Sequence, residues 1–172
     1  MKKSLLGILT LTLLIFSQTS YAQKKKDIVD IAVATDDFST LVAALKAADL
    51  VGALKGDGPF TVFAPTNSAF AKIDSKTLNN LLKPENKKQL SAILTYHVVS
   101  GKLAASDVVA ALEKGNGKVD LTTLGGSKLK VVKNDEGIWL QDQNGNYSKI
   151  TKTDVMGSNG VIHIIDTVVM PK

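Results

Sequence analysis

The residues best suited to chemistry in this chain are its two histidines, because the 172-residue sequence has no cysteine. His163 is followed three positions later by Asp166, a pair that could act as a general base with its orienting acid. In an extended strand, however, alternate residues share a face, so these two side chains point in opposite directions. The surrounding strand is apolar on both faces, which is typical of a covered central strand whose buried imidazole stays neutral. We therefore predict that His163, and likewise His97, is structural, and that the chain has no catalytic residues.

The sequence matches other motifs of catalysis and metal binding only incompletely. Two histidines are too few for a multi-histidine zinc site. Ser127 and Lys130 form an S-x-x-K pattern, but in a strand-like segment rather than at the start of a helix. Asp142 opens a stretch similar to a calcium loop, yet Tyr147 replaces the required glycine and Thr153 the bidentate glutamate. We predict no metal site and no cofactor.

The N-terminus has the pattern of an export signal. Two lysines precede the apolar run of residues 5–16, and small residues at 20–22 suit cleavage. The run is shorter than the roughly 20 residues of a membrane-spanning helix, although an N-terminal anchor helix is the alternative. We predict a signal peptide over residues 1–22, a short basic lead-in over 23–26, and a secreted protein that does not span a membrane.

The charge of the chain limits its partners. All 21 basic residues are lysines, and the formal net charge is +5. Loss of residues 1–22, which carry two lysines and no acid, would leave a charge of +3. Sequence-specific readout of nucleic acid relies on the planar guanidinium of arginine, whereas an ammonium group is a point charge. We predict no nucleic-acid partner, while attraction to an anionic polysaccharide or lipid surface stays open.

Hydrophobic periodicity and capping residues place most helices in the first half of the chain. Asp36 or Asp37 could cap a helix that runs to about Leu50, Thr66 could cap the next helix, and Ser106 could cap a later one. The predicted helices span about 37–50, 67–70, 75–82 and 107–112, and a further helix opens at Pro84 and carries Leu90, Ile93 and Leu94. Residues 27–34 are predicted to form a short turn or helix.

Strands dominate the second half. Asn144-Gly145 predicts a hairpin with a type I′ turn before the strand at 147–150. Helices followed by strands indicate a single α+β domain with a largely antiparallel or mixed sheet. The predicted strands span about 60–64, 119–124, 128–132, 138–141, 147–150 and 161–169.

Three separated segments resemble the fasciclin domain family: GPFTVFAPTNSAF (58–70), ILTYHVVSGK (93–102) and SNGVIHIIDTVVMP (158–171), with a Thr-Leu-x-Gly element at 123–126. The resemblance implies a β-wedge of about seven strands with helices packed alongside, over residues 27–172. It also implies that the first and last segments lie side by side as central strands. The residues implied to form the structural motif are Thr61, Phe63, Pro65, Thr66, Phe70, Tyr96, His97, Asn159, Gly160, His163 and Asp166.

The resemblance also implies a role in adhesion without catalysis. In this family a tyrosine–histidine pair contributes to packing and, in some members, to receptor attachment. An integrin-linked Glu-Pro-Asp-Ile-Met element falls on residues 152–156, where lysine and threonine replace glutamate and proline. We therefore expect the matching residues to position the loop that enters the final strand. The candidate binding residues are Tyr96, His97, Asp154, Val155 and Met156.

Three functions follow from these patterns. The sequence favours an exported, monomeric, non-catalytic module that binds a cell-surface or matrix polysaccharide or protein. A carrier or sensor of a small apolar ligand, such as a lipid or pigment, in a cleft between helices and wedge is the alternative. A hydrolase with His97 or His163 as its base is the third reading.

Overall fold

The computed structural model describes residues 25–172, so the predicted signal peptide lies outside the described part of the chain. This part forms seven α-helices, two 3-10 turns and seven strands. The 3-10 turns span Asp36–Phe38 and Pro84–Asn86. The helices are α1 (Ile28–Val33), α2 (Ser39–Ala47), α3 (Val51–Leu54), α4 (Asn67–Phe70), α5 (Ser75–Leu81), α6 (Lys87–Tyr96) and α7 (Ala105–Lys114). The strands are β1 (Phe60–Pro65), β2 (Val98–Ser100), β3 (Lys118–Thr122), β4 (Lys128–Asn134), β5 (Gly137–Gln141), β6 (Tyr147–Gly157) and β7 (Gly160–Ile165).

The strands form one mixed sheet in the order β2-β1-β7-β6-β5-β4-β3. The pair β1 and β7 is parallel, with Phe60 opposite Gly160, and the other pairs are antiparallel. A bridge between Val99 and Thr123 joins the two end strands, so the sheet is nearly closed. The predicted α+β wedge is confirmed, as is the prediction that the first and last sequence segments lie side by side near its centre.

The sheet separates two apolar clusters. The first lies between the helices and one face of β1 and β7, and includes Phe38, Leu94 and Ile162. The second lies inside the wedge of β3–β6, and includes Leu140 and Ile165. Because β7 contributes Ile162 to one cluster and Ile165 to the other, it is covered on both faces, as its two-sided apolar sequence predicts.

The predicted cap of α2 at Asp36 or Asp37 is wrong, because these residues form a 3-10 turn that precedes the helix. The side chain of Asn67, which is distant in the sequence, bonds to the backbone at the start of the helix instead. Asn67 Oδ1 accepts a hydrogen bond from the Thr40 amide at 2.9 Å, and Asn67 Nδ2 donates to the Asp36 carbonyl at 2.9 Å. The helix also ends earlier than predicted, at Ala47.

The predicted cap at Ser106 is also wrong, since α7 already begins at Ala105. The Ala104 amide donates to Asp107 Oδ2 at 2.9 Å, within the first turn. The Ala105 amide donates at 2.8 Å to Asp154 Oδ1, which lies 49 positions further along the chain. Orphan amides at a helix start need such acceptors, and here one of them comes from β6.

The hairpin between β5 and β6 is confirmed, but its predicted type I′ turn is wrong. A type I′ turn needs positive φ at both central residues. In this loop Gly145 has φ 87°, while Asn144 is not among the residues with positive φ. The Asp142 carboxylate organises the loop, because its Oδ1 accepts the amides of Asn144 and Asn146, each at 2.9 Å.

Candidate functional site

His163 lies in the interior, where its side chain is 1% exposed. Its Nε2–H donates to the Leu103 carbonyl at 2.8 Å, and its Nδ1 accepts the Asp154 amide at 3.4 Å. An amide can only donate, so the proton of the ring sits on Nε2. The Phe63 ring lies 5.7 Å away between centroids. Both imidazole nitrogens are therefore occupied by the backbone.

Asp166 is not the partner of His163. It follows β7, and its Oδ1 accepts the Lys149 amide at 2.9 Å, while its Oδ2 lies 3.5 Å from Lys72 Nζ. Burial raises the pKa of this carboxyl, but the hydrogen bonds from Lys149 and Thr167 and the charge of Lys72 together hold it below its usual range. Asp166 thus stays ionised as an anchor between β6 and β7.

Tyr96 and His97 are also buried, at the end of α6. The His97 Nδ1–H donates to the Ile93 carbonyl at 2.8 Å, and Nε2 accepts the Val169 amide at 3.2 Å. Burial lowers the pKa of His97 to about 4, so the ring is neutral at pH 7. The Tyr96 hydroxyl donates to the Lys128 carbonyl at 2.9 Å, and burial raises its pKa to about 12. The receptor role predicted for this pair stays a prediction, and both side chains face the core.

The first sequence segment supplies two polar anchors. Thr61 is fully buried, and its hydroxyl donates to the Gly101 carbonyl at 2.7 Å and accepts the Leu103 amide at 2.9 Å. Thr66 accepts the Ala69 amide at 3.3 Å, which confirms it as the cap of α4. The other residues of the predicted motif in this segment are Phe63, Pro65 and Phe70, all buried.

Asn159 joins the last segment to the helices. Its Oδ1 accepts the Ile28 amide at 3.1 Å, and its Nδ2 donates to the carbonyls of Leu54 and Gly56 at 2.8 and 2.9 Å. The neighbouring Gly160 has no room for a side chain, since a Cβ atom would lie 2.3 Å from the Phe60 carbonyl oxygen. The turn between β6 and β7 therefore depends on both residue types.

Asp154, Val155 and Met156 lie inside β6, which extends beyond the predicted end of that strand at residue 150, and their positioning of the entry to the final strand stays a prediction. Two register shifts against β7 interrupt the strand, and Asp154 has φ 59°. Such bulges bend a strand and redirect its side chains. The Asp154 carboxylate turns toward α7, where it accepts the Ala105 amide, Val155 packs on the helical cluster, and the Met156 side chain is 48% exposed.

The second half of β6 has an open edge. Its pairing with β5 ends at Lys149, so among residues 25–172 the stretch 151–156 pairs with β7 alone. We call residues 151–156 the β6 edge. Natural sheets protect such edges with bulges and charged side chains, and both occur here. Five of its six residues are exposed: Thr151, Lys152, Thr153, Asp154 and Met156.

Two properties of residues 25–172 bear on the class of site. No group of three or more His, Cys, Asp or Glu side chains in this range could hold a metal ion. Among the helices of the same range, none combines the length and the apolar character that crossing a membrane requires.

A parallel pairing of the first and last strands within an otherwise antiparallel, nearly closed sheet, with helices over one face, defines a FAS1-type β-wedge domain. The sequence model of the Fasciclin domain family matches residues 36–171, and the chain belongs to this family.

Three related proteins illustrate this membership. Protein sll1483 of Synechocystis sp. is 46% identical over 144 residues, which cover 84% of this chain and 73% of that protein. The transforming growth factor-beta-induced protein ig-h3 of Sus scrofa is 36% identical over 144 residues, 84% of this chain but 19% of that protein. A solved FAS1 domain pair from the insect cell adhesion molecule fasciclin I matches with TM-score 0.51 and 23% identity, over 74% of this chain and 40% of that one.

Proposed function

We propose that the protein is an exported, monomeric, non-catalytic interaction module that adheres to a cell-surface or matrix component, either a polysaccharide or a protein. The observation that carries this proposal is membership of the fasciclin domain family over residues 36–171. A structural neighbour with the same fold, insect fasciclin I, is a cell adhesion molecule. The signal-like residues 1–22 of the sequence support the export in this proposal.

The interior chemistry supports a binding role. A histidine that acts as a base must reach its substrate, yet His97 and His163 are buried and bonded to backbone groups at both ring nitrogens. The buried side-chain nitrogen and oxygen atoms of the described residues all have hydrogen-bond partners. These polar groups hold the wedge and the helices together, so we assign recognition to the exposed surface.

The β6 edge is the first candidate for that surface. It joins an exposed apolar side chain, Met156, to the charged Lys152 on a stretch of strand that has a neighbouring strand on one side within residues 25–172. Isolated exposed apolar residues are common, so a variant must test whether Met156 contributes. Val33 on α1 is 61% exposed and serves as a matched control, since both changes to serine remove an exposed apolar group.

Retention of the purified protein on native cell-envelope preparations tests the proposal. We expect retention at low salt, with weaker retention as salt screens the lysines. Met156→Ser should reduce retention if the β6 edge is the contact, whereas Val33→Ser should not. Failure of the wild-type protein to bind any envelope preparation at low salt would contradict the adhesive function itself.

One observation favours the alternative, a carrier of a small apolar ligand such as a lipid or pigment. A surface groove of about 330 Å³ lies between α1, α2 and α3, lined mainly by apolar side chains including Val33, Val42 and Val51. Its volume is near the lower limit for small-molecule sites. The cavity beneath it measures only about 20 Å³, the room of a single water molecule, so a lipid could not be enclosed there. A ligand found by mass spectrometry of the purified protein would favour the carrier.

A further inference from the structure

The solvent side of strands β3–β6 carries an unusual set of side chains, and we call it the outer face. In antiparallel register, Asp120 lies opposite Lys130, Lys130 opposite Gln141, and Gln141 opposite Tyr147. In the next row, Trp139 lies opposite Lys149. Alternation places the apolar residues of the same strands on the other side, in the wedge cluster. The outer face is therefore a continuous surface across four strands.

Two aromatic rings lie on this face rather than in the core. Trp139 is the only tryptophan of the chain, and the Tyr147 side chain is 52% exposed. The indole is held in place, because its Nε1–H donates to Asn134 Oδ1 at 2.9 Å and Lys149 Nζ lies 5.4 Å from the ring centroid. A fixed ring loses little conformational freedom on binding. Aromatic groups presented in this way are typical of recognition surfaces.

The same face is strongly basic. Lys118, Lys128, Lys130 and Lys149 share it with a single acid, Asp120. None of these four ammonium groups forms an ion pair with a carboxylate of residues 25–172. The strands of this face thus carry four ammonium groups and one carboxylate, an excess of positive charge that is complementary to a polymer with regularly spaced anionic groups.

A polar depression of about 340 Å³ lies beside the aromatic rings. Asp120, Lys128, Lys130 and Gln141 line it on the sheet, and Asp142, Gln143 and Gly145 line it on the loop that follows β5. The Asp142 carboxylate is directed into its own loop, where its Oδ1 accepts the amides of Asn144 and Asn146. Its volume is within the range of small-ligand sites, but its lining is polar and charged. Such a lining suits a hydroxylated, anionic group better than an apolar one.

We propose that the outer face binds an acidic polysaccharide. The apolar C–H face of a sugar ring would lie against Trp139 and Tyr147, and its carboxylate or sulfate groups would lie against Lys128 and Lys130. This inference rests on the proposed adhesive function and specifies its ligand class. Single-stranded nucleic acid also combines rings with anionic groups, but the chain has no arginine for base stacking or bidentate phosphate contacts. The side-chain chemistry of the chain therefore favours the polysaccharide over nucleic acid.

Fluorescence of Trp139 gives a direct test, since the full chain has no other tryptophan. The probes are polygalacturonate as an acidic polysaccharide, dextran as a neutral one and oligothymidine as a nucleic acid. We expect polygalacturonate to shift the Trp139 emission with saturation, and the affinity to fall as salt rises. Dextran should leave the emission unchanged. Tighter binding of oligothymidine than of polygalacturonate would overturn the proposal in favour of nucleic acid.

Matched lysine variants locate the site. Lys128→Gln with Lys130→Gln removes two charges from the outer face, and we expect roughly tenfold weaker binding of polygalacturonate. Lys76→Gln with Lys83→Gln removes two exposed charges at α5 and should change the affinity less than about twofold. Equal losses in both pairs would show attraction to net charge alone and would overturn the proposal.

Aromatic variants test the stacking contact independently of charge. Trp139→Ala should weaken binding of polygalacturonate by roughly tenfold, measured by electrophoresis through gels that contain the polymer, and Trp139→Phe should restore most of it. Unchanged binding by Trp139→Ala would contradict the proposal. Retention on cell envelopes separates this inference from the function on which it rests. If the Lys128/Lys130 and Trp139 variants are retained like wild type, the outer face is excluded and adhesion stands.

Discussion

Acidification from pH 6.5 toward pH 4 should destabilise the protein through His97. Burial lowers the pKa of this histidine from 6.5 to about 4, whereas the unfolded chain keeps the ordinary value. Between these two values the unfolded state binds a proton that the folded state does not. The stability that the neutral His97 contributes is therefore fully present above pH 6.5 and is lost as the pH falls toward 4. Below pH 4 this residue causes no further change.

The magnitude follows from the difference of the two pKa values. Each unit of pKa difference corresponds to about 1.4 kcal/mol. The free energy of unfolding should fall by about 2 kcal/mol between pH 8 and pH 5, and by about 3 kcal/mol by pH 4. Asp166 does not interfere, because its pKa is lowered from 3.8, and its contribution is lost only as the pH falls below that value.

Urea unfolding followed by far-UV circular dichroism at a series of pH values measures this loss. His97→Gln is the appropriate comparison, because an amide can still donate toward the Ile93 carbonyl and accept the Val169 amide, but it does not titrate. The variant should be less stable at pH 7, because its longer side chain fits the buried site less well. Its stability should nevertheless decline much less than that of wild type between pH 6.5 and 4.

Parallel pH profiles of the wild type and His97→Gln would refute this reasoning. Such a result would mean that the ring is protonated in the folded state as readily as in the unfolded chain. The hydrogen bond from the Val169 amide to Nε2 could not then exist, since both nitrogens of an imidazolium are donors. The buried, neutral state of His97 would have to be abandoned.

Three further substitutions test the anchors of the fold by urea unfolding at pH 7. Asp154→Ala should cost about 1 kcal/mol, because the Ala105 amide loses its acceptor, and Asp154→Asn should cost less; equal stability of all three forms would contradict the cap. Asn159→Ala should cost about 3 kcal/mol, since three partly buried backbone groups lose their partner, and a cost below 1 kcal/mol would contradict that role. Gly160→Ala should cost at least about 3 kcal/mol, because the added Cβ meets the Phe60 carbonyl between β1 and β7, and a folded protein of normal stability would contradict the close approach.

The central strands and the local caps could be predicted from the sequence because their signals are local. The last segment is apolar at both odd and even positions, and only a strand covered on both faces has that composition. Thr66 directly precedes the helix that it caps. In both cases the residue type and its immediate neighbours determine the outcome.

The remaining caps could not be predicted because their acceptors come from distant parts of the chain. Asn67 accepts the Thr40 amide of α2 from 27 positions away, and Asp154 accepts the Ala105 amide of α7 from 49 positions away. Local residues such as Asp36 and Ser106 had suitable side chains, but the tertiary acceptors occupy those helix starts instead. Residues 152–156 likewise stay in the strand because they contact α7 and β7, with bulges in the register, rather than because of their own strand propensity.

Prediction of the outer face requires the pairing register of the strands as well as the alternation of side chains along each strand. Alternation alone places Trp139 and Gln141 on one side of β5, and Tyr147 and Lys149 on one side of β6. Only the pairing of Trp139 with Lys149 and of Gln141 with Lys130 brings the rings and charges of separate strands together. A site of this kind is assembled from four strands, and no single segment contains its pattern.

The two candidate surfaces lie on opposite halves of β6, and the bulges between them determine whether one partner can use both. Tyr147 and Lys149 belong to the outer face, whereas beyond the first register shift the strand turns its exposed side chains, Met156 among them, toward the region of α1 and α7. Surfaces without shared neighbours contribute independently to binding, so their losses should add in a combined variant. A partner that spans the strand should lose affinity from Met156→Ser and from the lysine pair of the outer face, and the combined variant should lose the sum of the two binding free energies. The affinity for a polysaccharide that is confined to the outer face should not change in Met156→Ser. This variant is therefore the control that distinguishes the two modes of adhesion.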